Sequence, residues 1–192
     1  MKSGVRALGI AESYRADRTR GRTRSTLAGA VVRADRAFDG LAYGSCRVGG
    51  TDGTAAVIDL IDELDRPDAR YILLGAVAPA WYNVLDLSTI HRAVDQPVLA
   101  VTFEASGGLE AGLRDAFSGP ELEERLETYR ALPERRELSV NEETVYVRCV
   151  GLEPADADEV VRAFTPAGGR PEPIRVARQA ARAGASYVRS LE

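Results

Sequence analysis

Lysine is almost missing from this chain. Lys2 is the only one, and every other cationic side chain is arginine. Histidine is as scarce, with His91 alone, and there are two cysteines, Cys46 and Cys149. Each scarcity removes a class of chemistry. The cysteines have no CxxC spacing and no histidine nearby, so neither a zinc site nor a Cys–His nucleophile is expected. Both lie in strand-like runs, SCRV and VYVRCV, and read as buried free thiols. His91 has no second ligand at helical spacing and reads as an ordinary helix residue. No GxSxG elbow occurs. The run GGTDG precedes a helix but lacks both the Lys-Ser/Thr ending of a P-loop and GxGxxG spacing, which rules out a nucleotide-binding fingerprint. No apolar run reaches the ~20 residues that span a bilayer, so no membrane partner is expected. The opening MKSGVRALGIAES has neither an apolar h-region nor a small-residue cleavage site, and the expected location is the cytoplasm.

What is present fits one domain over residues 1–192 with an ordinary apolar share and a net charge of -4. That charge does not favour binding nucleic acid over the whole surface. Apolar runs predict strands at Val5–Ile10, Thr26–Arg33 and Leu41–Val48, with a turn at FDG and short connections that favour antiparallel pairing. Helical spacing from Thr54 (TAAVIDLIDELD) predicts an amphipathic helix. Tyr71–Leu74 and Pro97–Thr102 read as buried parallel strands, with a helix at Asn83–Val94 between them. Helices over Leu109–Phe117 and Glu121–Leu132 follow. Then come a β pair at Arg136–Val140 and Thr144–Val150, a helix at Glu153–Phe164 and a terminal helix at Ile174–Leu191. Three antiparallel strands followed by parallel strands, with helices between, describe an α/β ribonuclease H-like mixed sheet flanked by helices.

Four segments, ALGIAES, VGGTDGT, YILLGAVAPAWYNVLDL and PEPIRVARQAARA, together with this strand order, resemble the archaeal endonuclease dU family, distant relatives of endonuclease V. The resemblance implies metal-dependent phosphodiester cleavage of DNA containing deaminated bases, uracil above all, with Mg²⁺ or Mn²⁺ as cofactor. The chain departs from the family pattern at acidic positions. Ala11 and Glu12 stand where an Asp pair is usual, Gly49 replaces the first acid of the second motif while Asp52 keeps the other, and Gly75-Ala76 replaces an Asp-Gly. Asn83 and Asp86 match the aromatic-Asn-x-x-Asp run, and Arg178 stands where a His is usual.

Mg²⁺ takes oxygen ligands in near-octahedral geometry, and a glycine side chain supplies none. The remaining candidates are Glu12 and Asp52 for catalysis, and Glu12, Asp52 and Asp86 for metal. Each has a structural alternative: a strand-end residue for Glu12, helix caps for Asp52 and Asp86. Trp81 and Tyr82 form the only adjacent aromatic pair and can stack on a base or wedge a helix against the sheet. Asn83 can read a base edge or cap a helix. Arg15, Arg18, Arg20, Arg22 and Arg24 form a run between the first two strands that can reach phosphates or remain a solvated loop. Three readings stay open: a nuclease with a rebuilt acid set, a non-catalytic relative that binds DNA or other nucleic acid, or a structural or regulatory partner of a repair complex.

Overall fold

The computed structural model describes residues 1–14 and 23–191. One seven-stranded sheet runs in the order β3-β2-β1-β4-β5-β7-β6. Its members are β1 (Arg6–Glu12), β2 (Arg24–Arg33), β3 (Phe38–Arg47), β4 (Ala69–Leu74), β5 (Val98–Thr102), β6 (Arg136–Val140) and β7 (Glu143–Val150). β1, β2 and β3 pair antiparallel, while β4 joins β1 and β5 joins β4 in parallel. The β6–β7 pair closes the far edge, antiparallel to β5. The mixed ribonuclease H-like sheet expected from the strand order is therefore present.

The central strands are buried on both faces, which explains their unbroken apolar sequences. Alternate residues divide between two cores. Leu8, Ile10, Ile72 and Leu74 face α1 (Gly53–Leu64) and α3 (Leu87–Val94). Ala7, Leu73, Leu99 and Val101 face α6 (Pro154–Ala163) and α7 (Glu172–Ser190). A third, smaller cluster around Val84, Leu113 and Leu126 holds α4 (Glu110–Ala116) and α5 (Gly119–Arg130). No described helix is long and apolar enough to cross a membrane.

Three local expectations change. The helix expected from Asn83 begins only at Leu87, where the Asp86 side chain accepts the Thr89 amide as a cap. Asn83, Val84 and Leu85 are all buried and serve three different neighbours, a demand no single helix face meets. The segment before them, α2 (Pro79–Tyr82), is a single turn with Ala80, Trp81 and Tyr82 at φ of 50°, 59° and 62°. The turn between β2 and β3 lies at Ala34–Asp35, where the Arg36 amide donates to the Arg33 carbonyl, not at FDG, because a bulge lets Phe38 pair with Val32.

α7 lies unusually close to β1. A Cβ on Gly9 would overlap the Pro173 carbonyl and the Ile174 amide, both backbone groups that cannot rotate away. The Gly9→Ala variant is expected to lose about 3 kcal/mol or more, at the upper end of overpacking costs. Urea denaturation checks this: the midpoint should fall with an unchanged slope, and a midpoint within error of the parent would refute the close contact.

Candidate functional site

The carboxyl ends of β1, β4 and β5 open into one cavity of about 620 Å³. Crevices at this end of parallel strands are where open α/β sheets bind ligands. Ile10, Ala11 and Glu12 of β1, Gly75 and Ala76 beyond β4, and Thr102 of β5 form its floor. α7 forms one wall: Ile174, Arg178 and Arg182 follow at helical spacing along a single face.

Five guanidinium groups, of Arg135, Arg148, Arg170, Arg178 and Arg182, face two carboxyl groups, of Glu12 and Glu104. Arg135 is aimed by the Ser106 and Glu104 carbonyls at 2.8 and 2.5 Å and stacks over Tyr146 at 3.7 Å. Arg170 stacks over Phe103 at 4.0 Å. Arg148 donates to the Pro133 carbonyl. Burial, and then the charges of Arg178 and Arg182, lower the proton affinity of Arg170. Burial also lowers that of Arg148; Arg135 adds to the effect and Tyr129 opposes it. The local field is therefore positive although the chain as a whole carries -4.

Glu12 ends β1 inside this cavity. Its Oε2 accepts the Tyr14 amide at 2.7 Å and the Ser25 hydroxyl at 2.8 Å. Burial pushes its carboxyl up; Ser25, the Tyr14 and Ala80 amides, and the Arg178 charge pull against that shift.

The other expected acids are engaged elsewhere. Asp52 accepts the Arg47 amide at 3.0 Å and the Asn83 side-chain amide at 2.8 Å, and it makes no side-chain cap bond to its own helix. Asn83 is fully buried and caps α1 from 30 residues away: its Oδ1 accepts the Gly53 amide at 2.7 Å, while its Nδ2 also donates to the Arg47 carbonyl at 3.0 Å. Asp86 caps α3, its two oxygens accepting the Thr89 amide and hydroxyl at 2.9 and 2.6 Å. Its carboxyl is held low because these bonds outweigh the opposing effect of burial. Asp52 and Glu12 both act on Cys46, whose thiol burial drives up to about 12 with their negative charges adding. They lie on the same side of the sheet, yet only Glu12 lines the cavity.

Trp81 and Tyr82 line the cavity as well. Left-handed backbone costs an L-residue roughly 1–2 kcal/mol, so a run of three such residues is a site of stored strain. The turn is held by the Gly49 amide, which donates to the Ala80 carbonyl at 2.7 Å. Tyr82 sends its hydroxyl against Gly112, where a Cβ would collide with it. Arg24 lies on a separate groove beside Tyr43 and Tyr187. Arg15, Arg18, Arg20 and Arg22 lie outside the described residues.

This donor set does not fit Mg²⁺ or Mn²⁺. Among the described residues no three of His, Cys, Asp and Glu come together in a metal-holding group. Glu12 already accepts two hydrogen bonds on one oxygen. The cationic neighbours, Arg178 foremost, donate only N–H groups and repel a cation.

A mixed sheet of this order, with its crevice at the parallel strand ends, has the ribonuclease H-like architecture of endonuclease V. The Ciona intestinalis endonuclease V, in complex with a 24mer DNA containing an inosine followed by a ribo-adenosine, superposes with a TM-score of 0.61 at 12% identity, over 95% of this chain and 87% of that one. A protein of unknown function from Archaeoglobus fulgidus superposes with a TM-score of 0.78 at 23% identity, over 93% and 96% of the two chains. A UPF0215 protein of Thermococcus gammatolerans is 35% identical over 162 residues, 83% of this chain and 81% of that one. The sequence model of the family described as Endonuclease dU matches residues 3–184, and the chain belongs to that family.

Sequence reasoning did not anticipate the arginine wall. Arg178 and Arg182 carry a readable signal, a spacing of four on an amphipathic helix. Arg148 is a cation inside the apolar run VYVRCV, which also marks it as unusual.

The raised carboxyl of Glu12 has a definite sign in stability. A carboxyl whose folded pKa exceeds its unfolded value, about 4.3, binds a proton in the folded state that the unfolded chain has released. Its contribution is complete below the unfolded value and is lost as pH rises through the folded one. Glu12→Gln keeps an acceptor for Ser25 and removes the titration. Its urea midpoint relative to the parent is expected to rise between acid and neutral pH. A relative midpoint that falls over that interval would show that the native state favours the ionised form.

Proposed function

We propose that this protein binds nucleic acid at the arginine-walled cavity, gripping backbone phosphate with guanidinium groups in place of a bound divalent cation. The observation that carries this reading is the convergence of five arginines on the strand-end crevice against two glutamates, of which Glu12 is committed to internal hydrogen bonds. Arginine forks match phosphate geometry, and like-charged guanidinium groups held together are relieved by a polyanion. Membership of the Endonuclease dU family and the DNA-bound endonuclease V neighbour support nucleic acid as the partner class.

A second reading, cleavage, is favoured by one specific observation: Glu12 ends β1 within the cavity, with its proton affinity raised and Arg178 near it. In that reading the substrate is DNA carrying deaminated bases such as uracil. Glu12 takes a proton from the attacking water as the water oxygen bonds phosphorus, the bond from phosphorus to one sugar oxygen breaks, solvent water protonates that leaving oxygen, and the guanidinium groups stabilise charge gathering on the phosphoryl oxygens.

One experiment separates the two. Labelled single- and double-stranded DNA, with and without uracil or hypoxanthine, is incubated with the protein in Mg²⁺, Mn²⁺ or EDTA over a range of salt. Binding that weakens steeply with salt, is equal in EDTA and Mg²⁺, and leaves the DNA intact is the expected result. Arg178→Ala should weaken binding about 10-fold and lower the salt slope by about one. Cleavage that vanishes in Glu12→Gln would establish the second reading, and the absence of any binding would remove both.

A further inference from the structure

We propose that Trp81 is a stacking platform for an unpaired base, set so that the adjoining phosphate enters the arginine-walled cavity. This rests on the nucleic-acid reading of that cavity and adds to it the strand state that the site selects.

Three features hold the indole in place. The left-handed turn of Ala80, Trp81 and Tyr82 turns Trp81 outward, whereas Ala80 beside it is fully buried. Gly49 makes room for the ring: a Cβ there would lie 2.7 Å from Trp81 Cε3, so a residue with any side chain would push the indole away. Behind it stands Phe117, with ring centroids 5.3 Å apart, and the Arg125 guanidinium lies 3.9 Å from the far ring's centroid. Arg125 also donates to the Gly49 carbonyl at 2.5 Å, tying the support back to the residue that gives the indole space. Arg125 is itself 4% exposed, so this scaffold belongs to the core.

For all this support, Trp81 stays 44% exposed while lining the cavity mouth. A tryptophan recruited only to wedge the turn would be covered. An exposed indole held by Phe117 and Gly49 beside clustered arginines matches a nucleotide in both its parts: base on indole, phosphate on arginine. Stacking of this kind tolerates any base identity but requires a free base face. A base stacked and paired inside a duplex offers none, so an unpaired or extruded base is selected.

Trp81 is the single tryptophan in the chain, so its emission reports this site alone. The protein is titrated with a labelled thymidine homopolymer, an abasic sugar-phosphate strand of equal length, and a duplex, following label anisotropy and tryptophan emission together. The homopolymer is expected to quench the emission, and the abasic strand to bind through phosphates without quenching. Trp81→Ala should weaken homopolymer binding by about 5- to 150-fold and leave abasic binding within about 2-fold. Trp81→Phe, which keeps a ring, should retain most of the affinity and covers the case of an alanine variant that folds poorly. Salt-sensitive binding without quenching, or equal losses for both strands, would overturn the platform and leave the cavity reading standing. Failure of every strand to bind would overturn the cavity reading and the platform with it.

Discussion

The contact on which the rest depends is the backbone-to-backbone approach of α7 to β1 at Gly9. Only a residue without a side chain lets Pro173 and Ile174 settle on the strand. That approach fixes the height and rotation of a long helix over the carboxyl ends of the parallel strands. Ile174 then reaches Gly75, where an added Cβ would meet its Cγ2 at 2.9 Å, and Arg178 and Arg182 follow along the same face into the cavity. A helix set even one side chain further out would carry its guanidinium groups into open water, where their field is weak and screened. Packing at the middle of β1 thus determines electrostatics at its carboxyl end.

A second constraint orders the opposite wall. The Asn83 amide joins the end of β3, the start of α1 and Asp52 through three hydrogen bonds in a fully buried position. Removing such a group leaves buried donors and acceptors unpaired, at roughly 1–3 kcal/mol each. This network stabilises the glycine-rich loop against which the left-handed turn rests, and so holds Trp81 where it is. The acids here therefore act mainly as structural acceptors. Asp52 serves a strand end and Asp86 a helix start, while Glu12 ties Tyr14 to Ser25 across two strands. The positive charge of the cavity follows from its lining, five arginines against two glutamates.

The sheet was legible in the sequence because buried parallel strands must be continuously apolar, as YILL and PVLAVT are. The helices α1 and α7 were equally clear from their spacing. The start of α3 was not, because Asn83, Val84 and Leu85 each face a different partner, and periodicity records only one. The left-handed turn was invisible for another reason: it contains no glycine, the residue that ordinarily announces positive φ. Within the site, Glu12, Trp81 and Tyr82 could be placed near the strand ends from position alone. The arginine wall as a whole could not, since Arg135, Arg148 and Arg170 are distant in sequence from the Arg178–Arg182 face of α7 and meet it only through the fold.

The most direct measurement is a crystal structure of the protein with a short single-stranded oligonucleotide, grown with Mn²⁺ present. A backbone phosphate is expected within hydrogen-bonding distance of Arg178 and Arg182, with an unpaired base over Trp81 and no manganese on Glu12. A manganese ion bridging Glu12 and a phosphate, or a strand lying instead along the groove of Tyr43 and Tyr187, would contradict this expectation.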